Sequence, residues 1–235
     1  MTIRHELNRT LILVLAVFCV LGSYSTPLHG QTLMQGSLGD TTEPTMSLFI
    51  LNLPAGLSAP THTHEGVVFA YILEGEIENQ IEPDPLKIYH AGDFFHERPK
   101  QVHRVFRNVS KTEPAKILVF QNTATLPRGL KPLLQEPLTD LTGQEVSVIK
   151  ITRAPGVTSP AHQHPGPVFA YLVKGEVESQ VDPDPPKVYR AGDVFYEPPM
   201  HAHRLYRNLS KTEPAELLVF SVRKMGEPFS VRVSQ

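Results

Sequence analysis

Tryptophan is absent, and cysteine occurs once, as Cys19. A single thiol excludes an intrachain disulfide, and its place inside an N-terminal apolar run removes it from any mature chain in which that run is cleaved. Glycine is outnumbered by proline, 15 to 22, which disfavours long helices and favours short elements joined by rigid turns. Neither sign of charge dominates, since the formal net charge is −2 and the signs are interspersed. The chain therefore has no basic stripe for nucleic acid and no polybasic cluster for an anionic membrane, so a small molecule is the expected partner. Long hydrophobic runs are missing too. The longest, LILVLAVFCVLG from Leu11 to Gly22, is roughly 12 residues where a membrane span needs about 20. Behind Arg4 and Arg9 and ahead of Ser23 and Ser25, it reads as a signal peptide over residues 1–25, with cleavage as late as residue 30 as the alternative. A secreted or periplasmic protein with no stable membrane span after cleavage is expected.

What the sequence does contain is a repeat. Shifted by one hundred residues, LMQGSLGD from Leu33 aligns with LLQEPLTD from Leu133, and the match runs without a gap to Phe120 and Phe220. More than half of the positions from Gly56 to Phe120 are identical to their partners. Two similar domains follow, 31–128 and 129–235, joined through the proline-broken segment NTATLPRGLKPLLQEP. Within each copy, short apolar or alternating runs are separated by turn residues. VFAYILEGEIENQI reads as a hairpin turning at Glu74-Gly75, PDPLK and PDPPK interrupt, and KIYHAGDFF turns again at a glycine. HRVFRNVS and AKILVF add two more runs. With helix-period spacing confined to the leader, an all-β sandwich or barrel is expected.

Each copy also carries an H-x-H pair, in APTHTHEGVVFAYILEGE and SPAHQHPGPVFAYLVKGE. On an extended segment, residues i and i+2 share a face, so His62 and His64, and likewise His162 and His164, present two imidazoles side by side. His103 or His203, from another strand, can complete one face of a coordination sphere. Of 11 histidines, six stand at these positions, which argues against random scatter. Imidazole suits iron, copper, nickel and zinc, and three ligands leave positions for water, oxygen or substrate. Solvated polar residues, or an inherited site no longer loaded, are the alternative.

The glycines and histidines together carry a more specific pattern. Gly56, His62, His64 and Gly75, then Gly92 and His103, resemble the two motifs of the cupin family. Gly156, His162, His164, Gly175, Gly192, Pro198 and His203 repeat the match. The resemblance spans nearly all of the chain beyond the leader and implies two tandem jelly-roll barrels from an internal duplication, a bicupin. It implies a divalent transition metal, with iron foremost and manganese, nickel, copper and zinc also compatible. Two departures stand out. The family's acidic ligand position is Val68 in one copy and Val168 in the other, so a fourth protein ligand is expected to be missing from both. Arg98 replaces proline in the first copy, and Lys100 and Met200 stand where glycine is common.

Sites of three histidines are similar to those of thiol and diketone-cleaving dioxygenases within the superfamily. A neutral triad would leave a divalent ion its full charge for an anionic substrate. The implied function is an exported, metal-dependent oxidoreductase of the dioxygenase type acting on a small chelating organic substrate, with a homo-oligomer compatible. The alternative is a non-catalytic small-molecule or metal-binding cupin protein. Glu97 and Glu197, six residues before the third histidine, are candidate acid–base or orienting groups, and Tyr196, which stands against His96, is a further catalytic candidate. Gln101 against His201 is another uneven pair. Gln80 and Gln180 are weaker substitutes for the acidic ligand. Asn108-Val-Ser110 and Asn208-Leu-Ser210 match a glycosylation pattern, although Asn108 reads more simply as strand-end hydrogen bonding.

Overall fold

The computed structural model describes residues 29–38, 45–122, 126–138 and 141–233. The expected signal peptide lies outside them. Among the described residues every regular element is a β-strand, and each repeat folds as two antiparallel sheets enclosing an apolar interior. In the first repeat, Thr45–Leu53, Ala115–Asn122, Val68–Glu74 and Phe94–Glu97 form one sheet. Ser58–Ala59, His103–Asn108, Glu76–Ile81 and Lys87–His90 form the other. The second repeat builds the same pair from Gln144–Arg153, Ala215–Lys224, Val168–Lys174 and Val194–Glu197 against Lys187–Arg190, Glu176–Val181, Ala202–Asn208 and His162–Gln163. A short C-terminal strand, Val231–Arg232, extends the latter sheet.

The hairpin expected at Glu74-Gly75 does not form. Val68–Glu74 pairs with Phe94–Glu97 and Ala115–Asn122, whereas Glu76–Ile81 pairs with Lys87–His90 and His103–Asn108. Gly75 instead turns the chain from one sheet to the other, at φ 83° and with its missing Cβ position 3.0 Å from the Ala115 Cα. A tight turn between two strands is the same local signal for a hairpin and for a barrel corner. Long-range pairing decides between them.

Strand alternation accounts for the unbroken apolar run VFAYILE. Val68, Ala70 and Ile72 point into the first barrel, while Phe69 and Tyr71 point out, and all five are buried. The outward side chains meet those of the second repeat: the Phe120 ring lies 5.0 Å from Phe169 and 4.5 Å from Phe220. A sheet covered on both faces loses the in–out alternation that marks a half-exposed strand.

Two edges are exchanged between the halves. His29–Ser37, at the start of the first repeat, pairs with Gln144–Arg153 of the second, and Leu134–Pro137 pairs with Thr45–Leu53 of the first. The two segments that align at Leu33 and Leu133 thus each complete the other barrel's sheet and cover its edge. Backbone pairing therefore crosses the 128/129 division of the repeat in both directions. Similarity between two segments cannot say which edge each will join, because the same strand pattern satisfies either.

The shared core predicts a measurable cost. Phe120→Ala is expected to destabilise the protein by about 3–5 kcal/mol, seen as a lower urea midpoint; a midpoint equal to the parent's would contradict a common core for the two barrels.

Candidate metal centres

In the second barrel His162 and His203 are direct cross-strand partners, and His164 follows two residues on. The loop behind this pair is pressed against the strand Ala215–Lys224 at Gly166, where a Cβ would lie 1.8 Å from the Val222 carbonyl oxygen. Only glycine fits. The Met200 amide then binds the His164 carbonyl at 2.8 Å, with Met200 in the left-handed region at φ 60°. Lys100 does the same for His64, at 2.7 Å and φ 63°. Both occupy the positions where a glycine is common, and both accept backbone strain to hold the histidine loop.

The outer nitrogen of each histidine fixes its ring. His162 Nδ1–H donates to the Pro160 carbonyl at 2.9 Å and His164 Nδ1–H to the Phe229 carbonyl at 2.7 Å, which turns both Nε2 lone pairs inward. His203 is reversed: its Nε2–H donates to Ser179 Oγ at 2.8 Å, and its Nδ1 lies 2.8 Å from Glu197 Oε2. One donor atom from each of His162, His164, Glu197 and His203 lies within 4.8 Å of all the others.

Whether these residues fit a metal can be judged from their unsatisfied atoms. Glu197 Oε2, 3.4 Å from His164 Nε2, and His203 Nδ1 are buried, and neither has a hydrogen-bond partner outside the cluster. His203 Nδ1 and the Glu197 carboxylate meet at 2.8 Å, a contact that a proton or a metal cation shared between them satisfies. Burial alone would raise the Glu197 pKa, but the neighbouring His203 and His164 outweigh it and hold the carboxyl well below the usual range. Burial lowers the His162 pKa against the Pro160 carbonyl, favouring the neutral ligand form. At His164 burial is outweighed by Glu197 and the Phe229 carbonyl, so its pKa rises. The pocket thus draws positive charge to one point, and the donor set suits a divalent transition ion.

The first barrel repeats the arrangement less completely. His62 Nδ1–H donates to the Pro60 carbonyl at 2.8 Å, and His62 Nε2 is 3.1 Å from His64 Nε2. His103 Nε2–H donates to Asn79 Oδ1, and Glu97 lies 3.2 Å from His103 and 3.7 Å from His64. The three histidines form a group of donors within 4.8 Å of one another, with Glu97 beside it but not of it.

The expected loss of a fourth ligand does not hold for the second barrel. Val168 is directly opposite Glu197 across an antiparallel pair, as Val68 is opposite Glu97. Opposed residues share a face, so Glu197 offers from the neighbouring strand the carboxylate that Val168 lacks. The donor set carries a negative charge, and the neutral-triad expectation fails with it.

Tyr196 is corrected as well. As the neighbour of Glu197 on one strand it takes the opposite face, where its ring packs 5.2 Å from Phe169 in the core between the barrels. His96 takes the same outer face but is exposed, its ring stacked 6.5 Å from Phe69. Gln101 ties Arg98 to Glu82, and His201 is exposed, bonded to the Pro199 carbonyl. Gln80 and Gln180 alternate with the buried Asn79 and Ser179 and face away from the ligands. Asn108 and Asn208 are buried, their amides donating to Leu53, Pro54 and Glu113 carbonyls or to their counterparts, so neither is a glycosylation acceptor.

The family model described as Cupin domain matches residues 49–121 and 150–221, once in each barrel. The chain is a cupin. No curated protein matches its sequence. Among solved structures it is similar to AerE from Microcystis aeruginosa, with 16% identity and a TM-score of 0.58 over 76% of this chain and 88% of that one. The oxalate decarboxylase of Bacillus subtilis gives 15% and 0.60 over 85% and 78%. A variant of the salicylate 1,2-dioxygenase from Pseudoaminobacter salicylatoxidans gives 15% and 0.57 over 79% and 77%. At such identities the likeness is one of fold, the tandem bicupin.

The second cupin barrel holds a solvent-open cavity of about 710 Å³ lined in part by the ligand cluster. Val168, Phe195, Leu217 and Val219 give it apolar walls, and Phe229 covers one side. Arg153 and Tyr206 also line it, and sequence reasoning had singled out neither, nor Asn79, Ser179 or Phe229. A signal existed for Arg153: on its strand it shares parity with the inward-facing Ile149 and Ile151.

Ser179→Ala frees His203 Nε2 to rotate or exchange tautomers, and is expected to weaken metal binding at the second site by about 10–100-fold. Competition against a chromophoric chelator measures this. Unchanged affinity would show that the hydroxyl does not orient the ring.

Proposed function

We propose that this cupin is an exported, metal-dependent oxidoreductase of the dioxygenase type, working on a small chelating organic substrate inside its second barrel. The observation that carries the reading is the meeting of four donors, His162, His164, Glu197 and His203, in the wall of an open cavity large enough for a small organic molecule. A divalent transition ion held there would polarise a chelating substrate and support its reaction with dioxygen. The rest falls to the protein. Val168, Phe195, Leu217 and Val219 keep water from the reacting end, and the carbonyls of Pro160 and Phe229 with Ser179 fix the imidazoles before substrate arrives.

The first barrel supports a non-catalytic role. Leu126 and Leu130 pack onto its inner cluster, and Leu53 and Phe106 stand where the second barrel has Arg153 and Tyr206. Its histidines are suited to a metal that steadies the fold more than one that serves turnover.

An oxygen electrode tests both statements. The iron-loaded chain, offered a panel of enolic and phenolic chelators, is expected to consume oxygen with at least one of them, to lose that uptake on chelation or with His162→Ala, and to keep it with His62→Ala. Loaded protein that returns every compound unchanged would favour the binding-protein reading, and loss of uptake with His62→Ala would place turnover in the first barrel.

A further inference from the structure

We propose that Arg153 and Tyr206 form an anion-binding subsite in the second barrel, so that the substrate carries a carboxylate at one end and its metal-binding group at the other. The inference rests on the reading of that cavity as the reaction chamber, and it names the class of molecule the chamber takes.

Arg153 is only 6% exposed, yet among the described residues no carboxylate lies within 4.0 Å of its guanidinium, and its Nε is buried without a partner. Its contact is the Tyr206 ring, 5.1 Å below the guanidinium carbon. The Tyr206 hydroxyl is likewise buried and unbonded. An arginine does not escape the cost of burial by losing its proton, so an unpaired one inside a barrel calls for an anion. Glu197, the carboxylate of the same cavity, is already engaged by His164 and His203.

The duplication supplies the control. Leu53 and Phe106 occupy the matching positions of the first barrel and pack in its interior as ordinary apolar residues, so the fold needs neither charge nor hydroxyl there. The polar pair lines the cavity beside the four-donor cluster. The distances join the two ends, because the Tyr206 ring lies 5.6 Å from the His203 ring. Because Glu197 offsets part of an ion's charge, selection of an anionic substrate passes to Arg153. A planar guanidinium with a neighbouring hydroxyl matches the two oxygens of a carboxylate.

Calorimetric titration of the full metal-loaded chain with benzoate and with benzamide, a pair of like shape and unlike charge, tests this. Benzoate is expected to bind at least about tenfold more tightly. Arg153→Leu and Tyr206→Phe, which install the first barrel's own residues, are expected to narrow that preference to about threefold or less, with Arg153→Lys restoring part of it. Metal content by elemental analysis should be unchanged in all three variants. The preference should also survive removal of the metal, which separates the arginine from direct coordination. Equal binding of the two probes, an undiminished preference in Arg153→Leu, or a preference that vanishes with the ion would overturn the proposal. Failure of the oxidoreductase reading is registered elsewhere, as absent oxygen uptake in a protein that still distinguishes benzoate from benzamide.

Discussion

The register that sets Val168 opposite Glu197 determines most of what this molecule can do. In an antiparallel pair, opposed residues share a face and successive residues do not. The same register that turns Glu197 towards His164 and His203 turns Tyr196 and Phe169 outward. One sheet therefore adds Glu197 to the histidines of the facing sheet on its inner face and builds the core between barrels on its outer face. A slip of one residue would exchange these roles, burying a carboxylate among phenylalanines and exposing the cavity to an aromatic ring. The duplicated Phe120 and Phe220, stacked where the two large sheets meet, tie the register of one barrel to that of the other.

Within that frame the halves have diverged in the places where chemistry is decided. Both keep three histidines, an inward glutamate and a hydrogen-bonding partner for the third imidazole, Asn79 in one and Ser179 in the other. The second barrel alone has gathered Glu197 fully into the donor group and keeps a buried cation in the same cavity. Its C-terminal segment contributes as well, since the Phe229 carbonyl fixes His164 and Val231–Arg232 pairs beside His162. The first barrel receives leucines from the linker at its interior instead.

Much of this was legible in the sequence. The hundred-residue repeat, the absence of helical periodicity and the H-x-H pairs led directly to two β-barrels with histidine clusters. The pairing of strands was not legible: Glu74-Gly75 looks like a hairpin turn because a barrel corner uses the same residues, and the swapped edges at Leu33 and Leu133 are alike enough to fit either sheet. The carboxylate donor was half visible. Glu197 stood out by its spacing from His203, but its service as a donor depends on lying across from Val168, which is a fact of register. Arg153 escaped notice because a charge near a strand end reads as solvated until its neighbours show that the strand end is inside.

The service of Glu197 as a metal donor is the claim on which the proposed function of the second barrel turns, and elemental analysis tests it most directly. In a His62→Ala, His103→Ala background that disables the first site, Glu197→Val is expected to remove the bound metal, and adding Val168→Glu, which places the carboxylate on the opposing strand, is expected to restore most of it. Full metal content in the Glu197→Val protein would contradict the account.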